Sequence, residues 1–129
     1  MPEKRLYDTR FFMEYFYTDD TALLSELKHE LASTREKVVS VLTIHEMHRI
    51  DVRHEGVDVA NLRSNIIRAD CRIINVDYEA AVKSAELRSK HPMPMADSII
   101  AVTAQIQDCT LISDDIHFKG ITNLKTKWV

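Results

Sequence analysis

Glycine is almost missing from this sequence: 129 residues include only Gly56 and Gly120. That scarcity excludes a phosphate-cradling P-loop and a dinucleotide-binding fingerprint. Both need several glycines at fixed spacing so that backbone N–H groups can approach a phosphate. Cysteine is equally scarce, with Cys71 and Cys109 far apart and no Cys-x-x-Cys pair. The two thiols read as small buried hydrophobes of a reducing compartment. Long apolar runs are lacking, so no stretch approaches a membrane span. The N-terminal MPEKRLYDTR carries no apolar signal-peptide core. A cytoplasmic protein with no membrane partner is the expectation. A strong excess of one charge is lacking too. The formal net charge is −3, which does not announce nucleic-acid binding, although a local basic rim can surround an acidic site. No repeat, linker or low-complexity tract is visible. Residues 1–129 are expected to form one domain, long enough to bury its own core.

What is present alternates between two periods. Residues 4–9 read as a first strand reaching Asp8, and 10–17 turn helical. Leucines at 23, 24, 27 and 31 give residues 19–34 the period of an amphipathic helix, with Asp19 or Asp20 as its cap. Residues 37–41 are short and β-branched, a second strand. A helix over 42–55 stops at Gly56, and another follows over 57–69. Strand 71–76, helix 77–90, a break at Pro92 and Pro94, helix 96–107 and strand 109–113 come next. Residues 114–120 form a loop, and 121–129 hold a short last strand. Strands alternating with helices predict an α/β sandwich with a mainly parallel sheet. In such sheets sites gather outside the carboxyl ends of the strands.

The stretch TIHEMHRI, residues 43–50, resembles a zinc-protease signature at first sight. Its histidines, His45 and His48, are three residues apart rather than four, and Arg49 occupies the fourth position. A guanidinium stays protonated and cannot be a ligand. A Glu-x-x-His di-iron pattern fails at the same arginine. The open question is then the purpose of Glu46.

Four acids answer it as a set. Asp8 falls at the end of the first strand and Asp115 just beyond the fourth. Either alone reads as a turn or cap aspartate. Asp97 shares a helical row with Ile100, Ala101 and Ala104, where a carboxylate is either a helix-start charge or a buried site acid. Glu46 sits in a row with Leu42 and Ile50, where it is either a rim glutamate reaching solvent or a compensated site acid. If the four converge, some protonate or hard divalent cations neutralise them. Oxygen-only ligation favours Mg²⁺ or Mn²⁺ over zinc. The matching chemistry is metal-assisted phosphodiester hydrolysis, in which metals activate water and stabilise the leaving oxygen.

The segments LYDTRFF, VVSVLTIHE, PMADSIIAVTA and LISDDIHFKGI resemble the PIN-domain ribonucleases of the VapC toxin type. The resemblance spans nearly the whole chain. Its most specific parts are the Ala-Asp that opens the 96–107 helix and the strand ending in Ser-x-Asp with phenylalanine three residues on. It implies a PIN-like three-layer sandwich. It also implies Asp8, Glu46, Asp97 and Asp115 as catalytic acids, with Asp8, Asp97 and Asp115 holding Mg²⁺ or Mn²⁺ and Glu46 completing the shell directly or through water. Thr9 and Ser113 match supporting hydroxyls. The implied activity is endonucleolytic cleavage of RNA, leaving a 5′-phosphate and a 3′-hydroxyl. Implied partners are the RNA substrate, a small antitoxin that covers the site, and a second copy in a homodimer, which an exposed aromatic-rich first helix would suit.

Other assignments rest on proximity in the chain. Arg10, Arg49 and Lys119 lie near the acids and are candidate phosphate contacts; ordinary surface charge is the alternative. Arg10 can also pair with the acidic cluster. Asp114 adjoins Asp115, and the family pattern favours Asp115 as the inward one. His117 reads as a solvated loop residue rather than an RNA contact. Phe11, Phe12, Tyr15 and Phe16 read as core or dimer interface rather than a base-stacking platform, and Trp128 as packing. Three other readings stay open: an RNA-processing nuclease without a toxin role, a non-catalytic binding module on the same fold, and a small-molecule phosphohydrolase.

Overall fold

The computed structural model describes residues 3–129. Strands β1 (Lys4–Tyr7), β2 (Glu36–Ser40), β3 (Arg72–Ile74), β4 (Thr110–Ile112) and β5 (Thr126–Lys127) form one sheet in the order β3-β2-β1-β4-β5. Every strand pair is parallel. The helices are α1 (Thr9–Tyr17), α2 (Thr21–Ser33), α3 (Val41–Glu55), α4 (Val57–Asp70), α5 (Tyr78–Lys90) and α6 (Met95–Ile106). A 3-10 turn spans Ile116–Phe118. Among the described residues no helix is long and apolar enough to cross a membrane.

Period-two alternation sorts the core into two halves. Leu6 is the register partner of both Val38 and Leu111, and the three pack with Ile100, Ala101 and Ala104 of α6. Their chain neighbours Tyr7, Val39 and Ile112 point to the other face and pack with Phe11, Leu27, Met47 and Ile67 of α1 to α4. Both faces of the central strands are therefore buried, as a parallel sheet requires. The result is three layers, with α5 and α6 on one side and α1 to α4 on the other.

Short polar residues set the helix starts. Asp20 caps α2 through the amides of Ala22 and Leu23, Ser40 caps α3 through Leu42, and Asp77 caps α5 through Ala80. Gly56 ends α3 and begins α4 at φ 93°, a left-handed conformation in which any side chain is strained.

The elements match the sequence expectation with boundaries shifted by a residue or two. The shift at Asp8 has consequences. β1 stops at Tyr7, and Asp8 lies beyond it as the cap of α1, accepting from the Phe11 amide. The first helix does not expose its aromatic face. Phe11 and Phe12 are buried, and Tyr15 and Phe16 pack against their cluster. Trp128 meets Phe11 edge-on at 6.3 Å. Cys71 and Cys109 are buried and unpaired, and burial pushes their thiols up to about 12 and about 11. Neither is a reactive thiolate at neutral pH.

Candidate active site

The chain runs outward from β1 through β2 to β3, then crosses back to place β4 on the other side of β1. The switch point therefore lies between β1 and β4, and ligands of open α/β sheets bind outside such points. Register decides what stands there. Tyr7 pairs with Ile112, so the next residues, Asp8 and Ser113, emerge side by side.

A cavity of about 260 Å³ opens at this place. Asp8, Glu46, Asp97 and Asp115 all line it, together with Thr9 and Arg10. Met13 and Ile100 supply its apolar wall. The four acids come from four elements: the α1 cap, α3, the first turn of α6 and the loop after β4.

Each acid is held by a local device. Asp8 is 4% exposed and spends Oδ1 on the Phe11 amide at 3.0 Å. Burial pushes its carboxyl up to about 6, and the charges of Asp115 and Asp114 act the same way; the Ser113 hydroxyl and the Phe11 amide oppose them. Asp97 is raised as well, first by burial and then by the charge of Asp115, against the opposing pull of His117. Glu46 is half-buried and accepts the Thr9 hydroxyl at 2.7 Å. That bond explains why a glutamate turns inward on a helix whose next residue, Met47, is core. Asp115 is set by a double turn: its amide donates to Ser113 Oγ at 3.0 Å, and its Oδ1 accepts the His117 amide at 2.9 Å.

Asp114 and Asp115 separate cleanly. Asp115 faces the cavity, while Asp114 turns out and pairs with the Arg10 guanidinium. Arg10 is thus already engaged at the cavity rim. Arg49 and Lys119 are exposed and do not line the cavity. Arg49 instead borders a surface groove with Val41, Ile44, His45 and His48. Asp51, two residues on, is buried and accepts from Tyr17 at 2.5 Å and Arg63 at 2.9 Å.

His117 departs from its sequence reading. It is not merely solvated: Nδ1 lies 3.0 Å from Asp97 Oδ2 and 3.0 Å from Asp115 Oδ1. Histidine two residues past a strand-end aspartate was the available signal. What hid this placement was that Asp97 is remote in sequence.

A larger groove of about 490 Å³ lies between α2 and the last three residues. Its buried acid, Glu30, is already held by Arg5, Tyr7 and Thr34, whereas the smaller cavity gathers four acids.

The residues present fit a divalent cation. Donor atoms of Asp97, Asp115 and His117 all lie within 4.8 Å of one another, and Asp8 shares their cavity. Two carboxyls there are raised above their ordinary range, by burial first and by the charge of neighbouring acids after it, and a bound cation would oppose both shifts.

A parallel α/β sandwich with converging acids at its switch point defines the class, and comparison names the family. A model of the PIN domain family matches residues 5–124, and the chain belongs to that family. Solved structures share its fold. A toxin–antitoxin complex from Klebsiella pneumoniae superposes with a TM-score of 0.76 at 24% identity, covering 94% of this chain and 95% of that one. VapBC2 from Rickettsia felis, bound to a DNA fragment from its promoter, gives 0.79 at 17% identity, with 97% and 98% covered. Mycobacterium tuberculosis VapC20, a Sarcin-Ricin loop cleaving toxin, gives 0.76 at 17% identity, with 95% and 99% covered. No curated protein sequence matches the chain significantly.

Proposed function

We propose that this protein is a divalent-metal-dependent endoribonuclease acting as the toxin of a toxin–antitoxin pair, its activity carried by a single domain. The observation that carries the reading is the convergence of Asp8, Glu46, Asp97 and Asp115 in one cavity at the switch point of the sheet. Four acids in so small a volume suit a cation and a phosphate, and they repel a phosphate unless a cation is present.

Asp8, Asp97 and Asp115 would hold Mg²⁺ or Mn²⁺, which when bound would offset phosphate charge and lower the pKa of a water. Glu46, oriented by Thr9, receives a proton from the attacking water. The new bond forms between water oxygen and phosphorus, the bond from phosphorus to O3′ breaks, and the departing O3′ takes a proton from solvent. The products are a 5′-phosphate and a 3′-hydroxyl. Ser113 fixes the loop that presents Asp115. Arg10 is the phosphate contact best placed at the rim, while Arg49 and Lys119 contact RNA farther out.

The toxin role is favoured by neighbours that are toxins or toxin–antitoxin complexes over nearly their full length. On this reading the chain works in the cytoplasm as a homodimer, and a small antitoxin silences it by covering the acidic cavity.

The test is cleavage of a mixed structured RNA by purified protein, with Mg²⁺ or Mn²⁺ and with chelator, beside Asp97→Asn. Metal-dependent cleavage that disappears in the variant is expected. Full activity in Asp97→Asn, or activity indifferent to chelator, would overturn the assignment.

A further inference from the structure

The three carboxylates of the proposed metal site offer oxygen donors alone. The geometry of His117 goes further. Its Nδ1 stands 3.0 Å from an oxygen of Asp97 and 3.0 Å from an oxygen of Asp115. These are hydrogen-bond lengths, and they bring the nitrogen and two carboxylate oxygens within 4.8 Å of one another, near enough for a single ion to be shared among all three. Nδ1 is also the nitrogen turned toward the acids, from a side chain 42% exposed in the 3-10 turn. Its place is secured by the Asp115 carboxylate, which takes the His117 backbone amide at 2.9 Å, so one residue orients both the backbone and the ring.

We infer that His117 is a direct metal ligand through Nδ1, and that this nitrogen makes the site select Mn²⁺ over Mg²⁺. Imidazole is the ligand of Zn²⁺, Cu²⁺, Fe²⁺ and Ni²⁺ above all, and Mn²⁺ favours carboxylates, but Mn²⁺ accepts a nitrogen beside them more readily than Mg²⁺, which prefers oxygen and retains its waters. Mn²⁺ takes Asp97, Asp115 and His117 together. Mg²⁺ takes the carboxylates and a water in place of the nitrogen. His117 thus sets which ion loads, while the acids set that an ion loads at all. The inference depends on the proposed metal site, and its test separates the two.

The experiment is calorimetric titration of Mn²⁺ and Mg²⁺ into chelator-stripped wild type, His117→Ala and Asp97→Asn. Pulsed electron paramagnetic resonance of the Mn²⁺-loaded proteins is recorded in parallel. In wild type, Mn²⁺ should bind at least about tenfold more tightly than Mg²⁺, and the spectrum should show coupling to a nitrogen nucleus. His117→Ala should lose that coupling and about tenfold in Mn²⁺ affinity, while its Mg²⁺ affinity changes by less than about threefold. An unchanged Mn²⁺ affinity in His117→Ala, without nitrogen coupling in wild type, overturns the inference and leaves the metal site standing. Tighter Mn²⁺ binding in His117→Ala also overturns it, because the ring is then only a counter-charge that blocks the site. Failure of wild type to bind either ion overturns both the inference and the metal-dependent reading.

Discussion

The Thr9 hydroxyl donates to Glu46 Oε1 at 2.7 Å, tying the first residue of α1 to the middle of α3 across the candidate site. Without that bond, Glu46 has no reason to turn from solvent toward three other carboxylates.

Replacing Thr9 tests this positioning. Thr9→Val keeps the shape and removes the donor. RNA cleavage should fall about tenfold, with a stability cost of roughly 1 kcal/mol for the lost hydrogen bond. Thr9→Ser should retain most activity. Cleavage rates and denaturant midpoints of the two variants check it; equal rates would show that Glu46 needs no anchor.

Asp8 predicts a pH dependence of the metal-free protein. Burial pushes its carboxyl up to about 6 in the fold, above an unfolded value near 4. Its contribution to stability is therefore fully present below about pH 4 and is lost as pH rises through about 6. Asp8→Asn keeps the acceptor for the Phe11 amide and removes the charge. With chelator at pH 7.5 the variant should be more stable than wild type by about 1–3 kcal/mol, and the gain should vanish near pH 4. With Mn²⁺, wild type should recover and the variant should not. Urea unfolding at both pH values measures this.

Glu30 carries the opposite sign. Burial alone would raise its carboxyl, but hydrogen bonds from Arg5, Thr34 and Tyr7, with the Arg5 charge, hold it below the ordinary range. Its stabilisation is present above the unfolded value and is lost as pH falls through the folded one. Glu30→Ala strands a largely buried Arg5 and should cost about 3 kcal/mol at pH 7. Because Glu30 does not line the acidic cavity, cleavage per folded molecule should be unchanged. Thermal unfolding alongside active-site titration distinguishes a lost fold from a lost site.

The pairing of Arg10 with Asp114 makes a prediction about RNA affinity. Asp114→Asn releases the guanidinium and removes a negative charge from the rim. Binding of RNA to the inactive Asp97→Asn background should tighten about threefold. Arg10→Ala should weaken it several-fold and lower the salt slope by about one. Fluorescence anisotropy across a salt series reads both. Identical slopes for Arg10→Ala and its parent would remove Arg10 from the phosphate contacts.

The sequence by itself determined the elements and their order. Cap residues such as Asp20 and Ser40, the glycine at 56, and the alternation in β1, β2 and β4 act through neighbours a few residues away, so they can be read along the chain. The apolar row of Ile100, Ala101 and Ala104 likewise announced that Asp97 lies beside the core. Tertiary structure alone decided the rest. The pairing of Tyr7 with Ile112 sets Asp8 beside Ser113, and the docking of α3 and α6 brings Glu46 and Asp97 to the same cavity. It also turns Asp115 inward and Asp114 toward Arg10, and lodges His117 between Asp97 and Asp115. These are contacts between residues remote in the chain. They depend on strand register and helix docking, which burial across the whole sheet settles and no local stretch encodes.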